Sequence, residues 1–157
     1  MDDPVLRAYL RDFAEAHNLA GLKESDLFEY FSAYCIYLRD FSEHVILEDV
    51  IVAGGLDTAI DAIAIFLNDV SVTSRSQIDE IASRQKIEAD FSFIQSKTSR
   101  NLSAAEIGSF IQGVKEFFGQ RYMPANEAIS DKRELSDYVF DNSVKMRSKP
   151  RLQRSQA

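Results

Sequence analysis

The stretch FSFIQSKTS, Phe91 to Ser99, sets the strictest condition on what this chain can become. Its alternation places Phe91, Phe93, Gln95 and Lys97 on one face of a strand, and Ser92, Ile94, Ser96 and Thr98 on the other. Two phenylalanines make the first face the one that packs into a core. That same face ends in an amide and an ammonium group. Burying an unpaired charge is costly, so the fold has to bring Lys97 either a partner or a route to water.

The elements around this strand read as follows. Asp3-Pro4 has the form of an N-cap followed by a proline in the first helical position. Val5, Leu6, Tyr9, Leu10, Phe13 and Leu19 continue as a helical stripe to about residue 19. A second helix starts near Asp26 and runs through LFEYFSAYCIYLRDF. Leu27, Phe31, Tyr34, Leu38 and Phe41 form one face, and Tyr30 and Tyr37 widen it, so burial on most sides is expected. Val45 to Val52 is β-rich and ends at Gly54-Gly55. Ile60 to Leu67 reads as a strand with Asp61, Ile63, Ile65 and Leu67 on one face. Asn68-Asp69 suits a tight turn into a short strand, VSVTS. Ser76 and Asp79 have capping-box-like spacing before a short helix, Gln77 to about Lys86. Ser103-x-x-Glu106 is a capping box for a helix carrying Ile107, Phe110, Ile111, Val114, Phe117 and Phe118, which Gly119 can close. RYMPANEAIS reads as a loop. A last helix is expected from about Ser130 to Arg147, with Leu135, Tyr138, Val139 and Met146 inward. Strands surrounded by helices predict an α/β or α+β sandwich.

Composition narrows the function classes. The net charge is −7, with 14 acids and 4 bases in residues 1–70 against 11 acids and 14 bases in residues 71–157. The acidic first half argues against a surface that coats nucleic acid generally, and leaves room for a metal site built from local carboxylates. The acidic start MDDPV does not suit a signal peptide, and the apolar run AIDAIAIFL is too short to span a bilayer. The single Cys35 excludes an internal disulfide framework and points to a reducing, cytoplasmic setting; its apolar helical surroundings predict a buried, inert thiol. His17 and His44 show no zinc-ligand spacing.

Four polar residues interrupt apolar elements: Glu29 in the second helix, Asp61 at the start of AIAIFL, and Gln95 and Lys97 on the core face of their strand. If the two strands pair, Asp61, Gln95 and Lys97 converge. A carboxylate, an amide oxygen and a nearby glutamate would form a hard, oxygen-rich pocket suited to Mg²⁺ or Mn²⁺. A lysine beside it could orient a water or stabilise developing charge.

Asp…Gln-x-Lys with a helical glutamate upstream resembles the PD-(D/E)xK nuclease superfamily in its Gln-x-Lys variant. More closely, LFEYFSAYCIYL, GGLDTAIDAIAIFLND and FSFIQSKTSRNLSAAEIGSFIQGVKEFFG resemble the N-terminal part of the abortive-infection phage-resistance (AIPR) family, over roughly residues 20–120. The resemblance implies a restriction-endonuclease-like mixed β-sheet flanked by helices. It implies a single nuclease-like domain over residues 1–147, with 148–157 a basic tail or the cut edge of a longer chain. It implies a metal-dependent endonuclease acting on DNA rather than RNA in bacterial antiphage defence, without a membrane partner. By position, Asp61 and Gln95 would be metal ligands, Lys97 the catalytic lysine and Glu29 the helical acid; Asp57, after Gly54-Gly55, reads as a loop or turn residue that could alternatively support a metal ligand from behind. The expected GGGDGGID loop reads GGLDTAID here, and Gln95 stands where a carboxylate is usual.

Structural roles compete for the same residues. Asp26-x-x-Glu29 has capping-box spacing, Asp61 could cap exposed amides where its strand begins, and Asp61 and Lys97 could form a buried structural ion pair. A rival function is therefore a catalytically inactive module for nucleic-acid binding, protein docking or homodimer formation, the last through a Tyr30/Tyr34/Tyr37 face.

Overall fold

The computed structural model describes residues 3–40, 45–52, 55, 59–99, 101, 103–119 and 121–147, apart from the side chains of residues 40 and 143–147. Among them are five α-helices, α1 (Pro4–Ala16), α2 (Glu24–Asp40), α3 (Arg75–Arg84), α4 (Ala104–Phe118) and α5 (Glu127–Arg147). Three strands, β1 (Ala62–Leu67), β2 (Val70–Ser71) and β3 (Ala89–Ile94), form an antiparallel sheet in the order β2-β1-β3. The architecture is mixed α+β. No helix among the described residues is long and apolar enough to cross a membrane.

All six residues of β1 are buried, so both faces of the sheet are covered. Alternation divides them. Ala62, Ala64 and Phe66 join Leu10 and Phe13 of α1 and Leu27, Ala33 and Tyr37 of α2 in one core cluster. Ile63 packs with Phe117 of α4 and Ile129 of α5, while Ile65 and Leu67 pack with Ile78 of α3 and Val139 of α5. Helices α1 and α2 thus cover one face, and α3, α4 and α5 the other. Truncating any of these buried aliphatic side chains to alanine would cost about 2–5 kcal/mol.

Local chemistry fixes the ends of the elements. Asp3 caps α1 by accepting from Val5 N (2.9 Å) and Leu6 N (3.2 Å). Asn68 and Asp69 both take left-handed φ angles, 51° and 68°, as a two-residue hairpin between β1 and β2 requires. The Asn68 side chain also braces the entry to β3, accepting from Glu88 N (2.8 Å) and donating to Lys86 O (3.1 Å). Gly119 closes α4 because a Cβ there would lie 2.8 Å from the Lys115 carbonyl oxygen.

Several expectations are corrected. Val45–Val52 is not a strand: Leu47–Asp49 forms a 3₁₀ turn that spends its backbone groups locally, leaving one bridge, Ile51 to Ala62. The described sheet is wholly antiparallel rather than mixed. Helix α2 starts at Glu24, two residues early, and buries Tyr37 (2% exposed) rather than Leu38 (64%). Cys35 is therefore exposed, not buried. Tyr30, Tyr34 and Tyr37 pack into the α1–α2 core instead of forming an outward contact face. The cap of α3 is Ser74 with Gln77, not Ser76 with Asp79; Asp79 instead accepts from Tyr138 Oη of α5 (2.8 Å). Val5, Tyr9, Ile107, Ile111 and Phe118, assigned to inward stripes, are exposed, because each helix meets the sheet along a narrower face than its apolar residues span.

Candidate functional site

Strands β1 and β3 are neighbours, in a register that sets Ala62 opposite Ile94. The beginning of β1 and the end of β3 therefore share one edge of the sheet, and Asp61 sits at that edge. Its N–H donates to the Ile94 carbonyl (2.8 Å) and its carbonyl accepts from Val52 N (2.9 Å). Its carboxylate then accepts the next N–H along, that of Ser96. A side chain takes the place of a backbone carbonyl, and the ladder stops there. This is the reason β3 ends at Ile94, so that Gln95 and Lys97 lie just past the strand rather than on it. Both are half-buried. The Ser96 hydroxyl between them is buried and has no hydrogen-bond partner among the described residues.

The partner that the sequence demands for Lys97 is Glu106, whose Oε1 accepts from the ammonium. The Lys97 side chain keeps 31% exposure, so it also has its route to water. Glu106 is the third residue of α4 and completes that helix's capping box. Its Oε2 accepts from Ser103 N (2.8 Å) and Ser103 Oγ (2.7 Å), while Ser103 Oγ in turn accepts from Glu106 N (3.3 Å). Sequence reasoning identified the box but not the ion pair. The available signal was a lysine ahead of a capping-box glutamate whose carboxylate folds back over the start of the helix.

Glu29 lies on α2, in the layer that covers the other face of the sheet. Because α2 begins at Glu24, Asp26 falls inside the first turn, and the Asp26-x-x-Glu29 capping box does not form at the helix start. Glu29 is half-buried, one turn before Ala33 and two before Tyr37, on the face that packs against the sheet. Asp57 lies outside the described residues.

Among the described residues, no three His, Cys, Asp or Glu side chains gather as a metal-binding group. That does not make the donor set unsuitable for Mg²⁺, which is commonly held by one or two carboxylates, waters and substrate phosphates. The Asp61 carboxylate and the Ser96 hydroxyl, which has no partner among the described residues, are hard oxygen donors at one strand end, and Gln95, the residue before Ser96, carries an amide oxygen of the same class.

A second polar group, on α4 and α5, was not found from sequence. Glu116, Lys132, Arg133 and Ser136 are all buried. Glu116 has a structural explanation: its carboxylate accepts from Gln112 Nε2 (3.2 Å), Tyr122 N (2.8 Å) and Met123 N (3.3 Å), and so ties down the loop after α4. Burial lowers the pKa of Lys132, against the favourable charges of Asp49 and Asp131. Burial, with Arg121 close by, also lowers that of Arg133, whose Nε and Nη2 have no partner among the described residues. Clefts of ≈ 350 Å³ between α1 and α2 and ≈ 280 Å³ beside Tyr34 and Leu47 are not lined by Asp61, Gln95 or Lys97.

Comparison of the chain with protein-family models, with curated proteins and with solved structures finds no match.

Proposed function

We propose that this chain is a metal-dependent nuclease domain of the PD-(D/E)xK type in its Gln-x-Lys variant, with a restriction-endonuclease-like core similar to that of the AIPR family. Its substrate is DNA and its setting bacterial antiphage defence. The observation that carries this reading is the pairing of β1 with β3, which sets Asp61 against the segment Gln95–Lys97. The Asp61 carboxylate accepts from the backbone N–H of Ser96, the residue between Gln95 and Lys97.

The chain's residues divide the work. Asp61 and Gln95 would hold Mg²⁺ or Mn²⁺, with Glu29 supporting the shell from α2. When bound, such an ion polarises the scissile phosphate and lowers the pKa of a coordinated water. Lys97 positions the attacking water and offsets charge developing on the phosphate oxygens. Phe91 and Phe93 hold the strand that carries Gln95 and Lys97 against α4, through Phe93–Phe117 ring contact at 5.0 Å and Phe91–Phe118 contact at 5.1 Å.

The test is plasmid cleavage with Mg²⁺ or Mn²⁺ by the wild type, Asp61→Ala and Lys97→Ala. Cleavage by the wild type alone supports the reading, and equal cleavage by all three sinks it. A second reading, an inactive nuclease-fold module that binds nucleic acid or docks a protein, draws on the structural partners that Asp61 and Lys97 already have and on the altered loop GGLDTAID. Calorimetry with Mn²⁺ separates the two: no heat at millimolar metal in either wild type or Asp61→Ala favours the inactive module.

A further inference from the structure

We infer that Glu106 is a positioning residue for Lys97, so that the start of α4 sets where the ammonium stands in the nuclease site proposed above; the inference rests on that reading. Lys97 lies past the end of β3, on a segment without ladder hydrogen bonds to hold it. Its four-carbon stem would let the ammonium roam. Glu106 removes that freedom because both of its carboxylate oxygens are committed, one to Lys97 and the other to Ser103 N and Oγ.

The anchoring continues through the core. Helix α4 is fixed to the sheet by Phe117, 1% exposed, whose ring meets Phe93 at 5.0 Å. Phe93 lies on β3, two residues before Gln95. Strand, lysine, glutamate, helix and aromatic contact thus close a ring of contacts that returns to the strand bearing the site. Stability does not account for this placement. The N-terminus of a helix is the positive end of its dipole, where a cation is disfavoured and an anion favoured. Glu106 suits that position as a cap, whereas Lys97 is held there against the dipole. A half-buried ammonium kept at the wrong end of a helix by a dedicated carboxylate is what a site needs, not what a cap needs.

The variant that separates positioning from capping is Glu106→Gln. The amide oxygen can still accept from Ser103 N, while the charge that holds Lys97 is gone. Amine acylation mapped by mass spectrometry reads the pair without relying on activity, with the exposed Lys23, Lys86 and Lys115 as internal references. Labelling of Lys97 should rise several-fold relative to these references, and Mg²⁺-dependent plasmid cleavage should fall roughly 10²-fold, as for a displaced catalytic group. Ser74→Ala, which removes the remote cap of α3, controls for lost stability and should keep its cleavage per folded molecule. Unchanged Lys97 labelling in Glu106→Gln overturns the inference at the ion pair, and raised labelling with unchanged cleavage overturns it at positioning. If the wild type does not cleave while labelling still responds, the nuclease reading itself has failed and Glu106 is left as a structural tether.

Discussion

Replacing Lys97 with methionine tests whether the lysine serves the fold or the chemistry. The substitution keeps the length and apolar stem of the side chain and removes only the ammonium. The structure sets the cost. The Lys97 and Glu106 side chains are 31% and 38% exposed, so their ion pair is screened by water and is worth at most about 1 kcal/mol. Glu106 is not stranded by the change, because Ser103 N and Oγ still donate to it. Removing a cation from the positive end of α4 returns a few tenths of a kcal/mol, roughly offsetting the loss. The net change should lie within about 1 kcal/mol, or about 2–4 °C in the thermal midpoint for a domain of this size. A fully buried pair broken from one side would instead cost about 3–5 kcal/mol, or roughly ten degrees. Scanning calorimetry beside plasmid cleavage reads both quantities, and Lys97→Met should melt close to wild type while losing cleavage. A drop of ten degrees or more, with activity per folded molecule retained, would refute the reasoning and make Lys97 a structural residue.

Other substitutions test neighbouring parts of the structure. Arg133→Met removes a buried guanidinium whose Nε and Nη2 have no partner among the described residues, and should raise the urea midpoint by the equivalent of about 1–3 kcal/mol; a clear fall would mean that the guanidinium is satisfied in solution. Asn126→Ala removes the acceptor for Ile129 N (2.9 Å) at the start of α5 and the donor to Val52 O (2.7 Å), and should cost about 2–3 kcal/mol; an unchanged melting temperature would refute this. Burial pushes the Tyr37 hydroxyl up to about 12, the Ser92 hydrogen bond opposing. With the folded value above the unfolded one, its contribution is full below about pH 10 and is lost as pH rises toward 12, so wild type should lose stability relative to Tyr37→Phe over that window in urea titrations, and a constant difference would refute it. Asp61→Asn can still accept the Ser96 N–H and should fold nearly as well as wild type without cleaving DNA, whereas Asp61→Ala should also lose about 1–3 kcal/mol; equal melting of the two variants would deny Asp61 its role at the strand end.

Much of the fold was legible because short-range chemistry announces it. Asp3-Pro4, Asn68-Asp69 and Ser103-x-x-Glu106 each meet a local geometric requirement, and each stands where the sequence places it. The β1–β3 pairing was also legible from two apolar strands with polar residues at their adjoining ends, although Lys97 finds its partner in Glu106 of α4 rather than in Asp61. What could not be read was decided by packing across the chain. Whether Tyr37 or Leu38 turns inward depends on the rotation of α2 over Ala62, Ala64 and Phe66, which periodicity within the helix leaves open by one residue. Cys35 follows the same rotation outward. Lys132 and Arg133 look like solvated charges on a helix, and only the approach of α5 to the sheet, seen at Ile129 and Val139, makes them buried. The end of β3 was missed because a side-chain acceptor, the Asp61 carboxylate, interrupts a backbone ladder that alternation alone would extend to Thr98.

Two polar residues of the proposed site have structural partners, Asp61 in Ser96 and Lys97 in Glu106. Such partners do not separate a scaffold from an active site, since a group held ready for chemistry must also be held. The difference lies in what the partners leave unexplained. A ladder could end at Ile94 with any acceptor for Ser96 N, and asparagine would serve without bringing a charge to a half-buried edge. Helix α4 is fully capped by Ser103 and Glu106 and gains nothing from an ammonium at its positive end. The Ser96 hydroxyl is kept from water beside a carboxylate without a partner among the described residues, which a stabilising site would have remedied with alanine. Three local choices, at Asp61, Ser96 and Lys97, each depart from the stable option in the same direction, toward oxygen donors and a cation gathered at one strand end. Departures of this kind concentrate where function rather than stability selects the residue, and two of the three, Asp61 and Lys97, are residues that the nuclease reading requires.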